Sequence, residues 1–404
     1  MFKLVRPKQD TTIYGYAPDV NAGIDEVLEL NTRKFLNVAD ESFSTPQPSR
    51  ILMEFPELDE SFMETVEDGP NAFAQFGFET VDRDDTRQAL SGDVGLGPPN
   101  AFAFFGEQVA PKRDPEPEPQ PDPEPEPYDS TAWLRMWFAN GMGMPKRYEI
   151  QAFPLEAAWR EGRGRAENNP RTIEPATWKD RLFNEPWQTE GGDFSSTPVS
   201  KEVFDGDDPD VELKMNSVLA SSPENGIILK RKDEDFGRRT ELKFFGNDTR
   251  TIYVPHLLVG VDDYEFSTEG SEPIEEENFT AYVSKLQNEY SGGPTRFEVT
   301  VEEKFEQRQF LGIRPTERTE SIENARYLPR RSLRYQIKDV RTGTIFYPFD
   351  KRYSAVSFNG RTHYFDVNLD NLLPRREYKI LLKYVDPETE NEQIFQHEQT
   401  FKIE

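Results

Sequence analysis

Four aspartates in six residues, Asp205-Gly206-Asp207-Asp208-Pro209-Asp210, form a dense set of hard oxygen ligands. Carboxylates at short spacing around a glycine suit calcium, so Asp205, Asp207, Asp208 and Asp210 are the candidate metal ligands. Their spacing is not that of an EF-hand, and a solvated acidic turn has the same composition. No other cofactor is expected. The three histidines, His256, His363 and His397, are far apart and each lies in or beside an expected strand. They read as ordinary strand histidines. No Gly-x-Ser-x-Gly, His-Glu-x-x-His or phosphate-cradling glycine loop occurs. With 75 Asp and Glu in the chain, a pair of acids spaced for glycoside hydrolysis carries no information. Zero cysteines excludes disulfides, thiolate zinc sites and cysteine nucleophiles together, and points to maturation in a cytoplasm. The residue inventory therefore reads as that of a non-enzyme.

The binding chemistry lies in a phrase that the chain says twice. Pro70-Asn71-Ala72-Phe73-Ala74-Gln75-Phe76-Gly77 returns as Pro99-Asn100-Ala101-Phe102-Ala103-Phe104-Phe105-Gly106. Each copy runs on to a Glu-x-Val, Glu79 to Val81 and Glu107 to Val109. Between Pro56 and Asp129 there are 19 acidic against 4 basic residues, so this stretch carries −15 of the net −27. Phenylalanines in so polar a segment have little local core to bury in and are costly to leave exposed. Phe73, Phe76, Phe102 and Phe105, with Asn71 and Asn100, are thus expected to be short anchors for a groove or sheet edge of a partner. Two linked anchors could grip two copies of that partner, because the second docking becomes intramolecular. Seven prolines at alternate positions from Pro115 to Pro127 close the segment. They forbid helix and strand and favour a polyproline II spacer that could reach roughly 40 Å.

The elements around this arm read as strands. Thr11 to Tyr14, Val27 to Leu30 and Ile51 to Phe55 are β-branched, aromatic or aliphatic runs separated by turn residues, giving three short strands. Ala132 to Phe138 is apolar enough for helix or strand, while Tyr148 to Phe153 alternates cleanly. Val211 to Met215 reads as a strand or a helix start. Gly226 to Lys230 and Thr251 to Val259 read as strands. All five tryptophans fall between Trp133 and Trp187, where they are expected to fill a sandwich core or its end. No apolar run is long enough to span a bilayer, and the first residues lack the continuous apolar stretch of a signal peptide. A net charge of −27 argues against nucleic acid, and Arg330-Arg331 and Arg375-Arg376 read as solvated surface.

Three phrases near the start resemble the entry of a DNRLRE-type β-sandwich, a jelly-roll relative of carbohydrate-binding modules: Asp10 to Tyr14, Asn21 to Glu26 and Ser49 to Phe55. Leu242 to Pro255 looks like the end of that module. With Asn225 to Arg231, the same phrasing is similar to structural proteins of tailed bacteriophages, especially marine and cyanobacterial myophages. The resemblance implies residues 1–58 and 130–265 as a jelly-roll-like sandwich, interrupted by an extended or disordered insertion arm at 59–129. It continues into the C-terminal part and has no counterpart for the arm.

From residue 275 to 404 the charge is nearly balanced, at 20 basic against 22 acidic residues, and the strand pattern is clean. Thr295 to Val301, Leu333 to Ile337, Tyr364 to Leu369 and Thr400 to Ile403 are the expected strands. Leu373-Pro374 followed by Tyr378, opening an alternating strand, resembles the tyrosine corner of immunoglobulin and fibronectin type III sandwiches. Pro374 and Tyr378 are therefore expected structural residues of an Ig-like sandwich. The whole chain is expected to be all-β. Its expected role is a non-enzymatic component of a tailed-phage virion, in the neck, tail or baseplate region, made in the host cytoplasm. Its expected partners are other virion proteins, in several copies of one subunit, with neither nucleic acid nor membrane. The alternative is a carbohydrate-binding surface module for host attachment, in which Trp159, Trp178 or Trp187 would stack on a surface glycan.

Overall fold

The computed structural model describes residues 1–37, 42–56, 131–143, 146–166, 174–205, 210–215, 223–234, 239–274, 278–303, 325–396 and 399–404. Among these the chain is all-β, with several antiparallel sheets and a single short 3-10 turn, Leu369–Asn371. Met1–Thr65 and Ser130–Glu404 make one compact unit.

The N-terminal sandwich opposes two main sheets. One has the order Phe2–Val5, His256–Gly260, Thr131–Met136, Val211–Lys214. The other runs Ser200–Asp205, Arg147–Pro154, Ile227–Arg231, Gln47–Glu54, Gln9–Tyr14, and Thr32–Arg33 also pairs with Gln47–Glu54. A three-stranded sheet, Val27–Glu29, Glu241–Phe245 and Phe138–Met142, extends the sandwich. Among the described residues before 56 there are seven strands rather than three. The ambiguous segments Ala132 to Phe138 and Val211 to Met215 are strands, because alternate residues (Ala132, Leu134 and Met136; Val211 and Leu213) reach one core. The run from Thr251 is a strand only from His256 onward.

Three apolar runs without alternation have one cause, which is burial of both sheet faces. In Ile51-Leu52-Met53 and Ile227-Ile228-Leu229 the outer residues face the inter-sheet core, while Leu52 and Ile228 join a second cluster with Ile13, Phe153, Trp159 and Trp187. That second cluster lies under the long connection after Pro154. In Leu257-Leu258-Val259, Leu257 and Val259 face the N-terminal core, whereas Leu258 and Phe2 belong to the core of the C-terminal sandwich.

The C-terminal sandwich places Phe279–Val283, Pro294–Glu303, His363–Asn368 and Ser357–Asn359 in one sheet. The opposing sheet holds Ile345–Tyr347, Leu333–Asp339 and Glu377–Val385, with Glu392–Gln396 and Phe401–Ile403 both on the far side of Glu377–Val385. This is the A-B-E-D against C′-C-F-G arrangement of an Ig-like sandwich. Phe266–Ser267 pairs with Ser357–Asn359, so this sandwich takes in the chain from about Phe266, and Ser271–Pro273 pairs with Ala325–Tyr327 in a separate two-stranded sheet.

The two sandwiches are joined through packed side chains. The Phe2 ring lies 6.4 Å from Tyr347 and 5.6 Å from Tyr353, and Trp133 meets Tyr353 at 6.0 Å. A Cβ on Gly260 would sit 2.5 Å from the Tyr353 ring, so only glycine allows this approach. Asp262 receives Arg331 at 3.0 Å and Arg352 at 3.1 Å beside it.

Candidate interaction site

The expected anchors Phe73, Phe76, Phe102, Phe105, Asn71 and Asn100 lie outside the described residues, as do Asp207, Asp208 and His397. What the structure defines is the pair of strands between which the anchor-bearing segment is inserted. The outgoing strand, Gln47–Glu54, is pinned at its end. Glu54 accepts from Lys8 Nζ at 2.6 Å and from Gln9 Nε2, its carbonyl accepts from Lys8 N–H at 2.7 Å, and Phe55 is buried in the sandwich core. The returning strand starts at Thr131, opposite Gly260, and its hydroxyl oxygen lies 3.1 Å from the Tyr353 hydroxyl. One root therefore leaves the larger sheet and the other enters the smaller one.

Of the aspartate set, Asp210 Oδ1 accepts from the Phe138 N–H at 2.9 Å, and Asp205 sits 4.0 Å from Arg147. Both have protein partners. Among the described residues no group of three or more His, Asp or Glu converges in a way that could hold a metal.

The Tyr378 hydroxyl accepts from Leu373 N–H at 2.8 Å and donates to Leu373 O at 3.1 Å, and its ring is fully buried against Phe346 and Phe401. Pro374 is exposed at the tip of the same crossover, followed by Arg375 at a φ of 60°.

The tryptophans occupy structural positions. Trp159 and Trp187 are buried, and their indole N–H groups donate to Asn225 O and Thr177 O, each at 3.0 Å. Trp178 is half-buried, with the Arg50 guanidinium 4.9 Å above its ring. His256 packs 5.0 Å from Trp137, and His363 Nε2 accepts from Leu328 N–H at 3.3 Å. Burial lowers both imidazoles, to about 3 for His256 and about 4 for His363, so both are neutral at pH 7.

No family model matches the chain, and no curated protein matches it significantly.

One cluster escaped the sequence reading. Asp10 is buried in the strand Gln9–Tyr14, with Oδ2 accepting from Asn247 N–H at 2.8 Å. Its own N–H donates to Glu161 Oε1 at 3.1 Å. Desolvation raises Asp10 to about 7, opposed by the Asn247 bond and reinforced by the charges of Glu161 and Asp248. Desolvation likewise raises Glu161 to about 7, with the Asp10 N–H opposing and Asp248 adding to the rise. The local signal was faint, since Asp10 looks like any polar residue at a strand start. Only the fold brings residue 161 to residue 10.

Proposed function

We propose that this chain is a non-enzymatic structural component of a tailed-phage particle, in its neck, tail or baseplate region. On this reading it grips repeated subunits through its doubled phenylalanine phrase. The observation that carries the proposal is the repetition of Pro-Asn-Ala-Phe-Ala-x-Phe-Gly inside an acidic, proline-bounded insertion between two strands of a packed body. Pinned roots support it. A tether held at both ends has a limited reach, which favours two docking surfaces at fixed spacing and raises the effective concentration of the second anchor. The setting is taken from the resemblance of the phrases Asn225 to Arg231 and Leu242 to Pro255 to those of myophage structural proteins.

The decisive experiment deletes residues 70–109 and follows the chain into assembled particles by mass spectrometry. Incorporation of the intact chain and its loss on deletion are expected. Absence of the intact chain from purified particles, with activity on a soluble substrate instead, would falsify the proposal. The glycan alternative receives no support from Trp159 and Trp187, whose faces are occupied by the protein's own core.

A further inference from the structure

The loop Arg160-Glu161-Gly162-Arg163-Gly164-Arg165 divides its residues by direction. Three of them are held by the body of the sandwich. Glu161 donates its N–H to Gln9 Oε1 at 3.1 Å, and its Oε1 accepts from Asp10 N–H at 3.1 Å. Asn21 binds the loop backbone on both sides. Its Nδ2 donates to Glu161 O at 2.7 Å and to Ala176 O at 3.0 Å, while its Oδ1 accepts from Gly164 N–H at 2.6 Å. Gly162 has a φ of +78°, and a Cβ there would lie 2.1 Å from Pro175 O. Beyond it, Gly164 O accepts from Ile24 N–H at 3.1 Å, and Ala166 N–H donates to Asp25 Oδ2 at 3.1 Å.

The residues left outside are Arg160, Arg163 and Arg165, and all three are exposed. Three cations of the same sandwich, Lys179, Arg181 and Arg250, do have carboxylate partners. Lys179 meets Asp19 at 3.0 Å, Arg181 meets Glu185 at 2.6 Å, and Arg250 meets Glu26 at 3.8 Å. Arg165 acts electrostatically on Asp248, but Arg160 and Arg163 form no ion pair among the described residues. In a chain of net charge −27, three arginines on one fixed loop call for an anionic counterpart.

We propose that Arg160, Arg163 and Arg165 form a docking surface for an acidic peptide segment of a partner protein, extended and bearing carboxylates at alternate positions. Arg163 and Arg165 are separated by one residue in sequence, and same-side carboxylates of an extended peptide likewise recur at every second residue. Each guanidinium offers a planar fork that takes a carboxylate through two parallel hydrogen bonds. Because the backbone is already fixed, binding orders only side chains. Charge complementarity selects the partner class. A nucleic acid is a long polyanion that gains affinity through many phosphate contacts, which a chain of net charge −27 disfavours. A short peptide meets only the loop.

The test is fluorescence anisotropy of a labelled peptide of alternating glutamate and proline titrated with the full chain at low salt. Binding is expected to weaken at least about ten-fold in the triple variant Arg160→Ala, Arg163→Ala, Arg165→Ala, with an unchanged melting temperature. The triple lysine variant should fall between the two, since it keeps charge and loses the fork. A chain lacking residues 70–127, which removes both the phenylalanine anchors and the chain's own Pro-acid run, should bind this peptide at least as well as the intact chain does, so this proposal stands or falls separately from the phenylalanine anchors. Equal binding by the intact chain and the alanine variant would overturn it. So would the absence of binding, or tighter binding of a single-stranded oligonucleotide of equal charge.

Discussion

A single hydroxyl ties the crossover before the strand Glu377–Val385 to its own sheet. Tyr378 uses it as acceptor and donor on the two backbone groups of Leu373, which places a fully buried ring under a bend that the chain must make. Tyr378→Phe keeps the ring and leaves the Leu373 N–H without its partner, so a loss of about 1–3 kcal/mol is expected by urea denaturation. A change below about 0.5 kcal/mol would mean that solvent replaces the hydroxyl at no cost. The acid pair behaves in the opposite sense. Asp10 and Glu161 each titrate near 7 in the folded chain, above their ordinary values, so the folded state keeps its protons longer than the unfolded state. Their contribution is most favourable below pH 4 and is lost as pH rises towards and through 7. His256 and His363, held low by burial, give stability that is full above about pH 6.5 and is lost as pH falls through about 4 and 3. Because the two sets oppose each other, the difference between variant and wild type is the useful readout. Asp10→Asn keeps an acceptor for Asn247 N–H and carries no charge. It should stabilise the chain at pH 8 by up to about 4 kcal/mol and leave stability at pH 4 nearly unchanged. Equal melting shifts at both pH values would show that the burial of charge at Asp10 has no weight.

At the level of elements, the strand His256–Gly260, paired between Phe2–Val5 and Thr131–Met136, is covered on both sides. Leu258 is the central side chain of its outer face and has 1% of its surface exposed. Leu258→Ala should cost about 2–5 kcal/mol, as other large-to-small core changes do. Leu257→Ala, on the opposite face of the same strand, should fall in the same range, although it empties a different core. Calorimetry of both variants checks this, and a value near zero for Leu258 would mean that the C-terminal sandwich does not cover it. The same residues explain how far the sequence could be read. Strands with one solvated face, such as Leu333–Asp339, alternate strictly between buried and half-buried positions and were legible at once. Leu257-Leu258-Val259 named a strand without naming its second partner, because a doubly buried strand has no polar face to give its orientation away. Phe2–Val5 was too short to stand out and is defined only by its pairing with Leu257 to Gly260. Tyr378 was legible because its logic is local, five residues from Leu373. Asp10 and Glu161 were not, because nothing near Asp10 in sequence hints at a partner 151 residues away.

For the whole molecule the question is whether two sandwiches joined in this way behave as one body. Domain contacts that are small and polar leave domains free to move. Here Phe2 and Leu258 lie inside the core of the other sandwich, Trp133 packs against Tyr353, and Asp262 is shared by Arg331 and Arg352. Separating the sandwiches would expose that apolar surface, at roughly 25 cal/mol per Å², and would leave Asp262 without its guanidinium partners. A single calorimetric transition for the intact chain is therefore expected, with the ratio of calorimetric to van't Hoff enthalpy near one. Replacing Phe2 with Ala and Leu258 with Asn together should split it into two, the N-terminal and C-terminal sandwiches melting separately. Two transitions already present in the intact chain would overturn the single-body reading. Deleting residues 70–109 belongs to the same test. Met1–Thr65 and Ser130–Glu404 form a compact unit by themselves, so the deletion should leave the transition in place while removing the proposed anchors. A deletion that lowers the melting temperature as much as Leu258→Ala would instead make the doubled phrase a piece of the fold. That outcome would leave the repetition without the binding role argued for it.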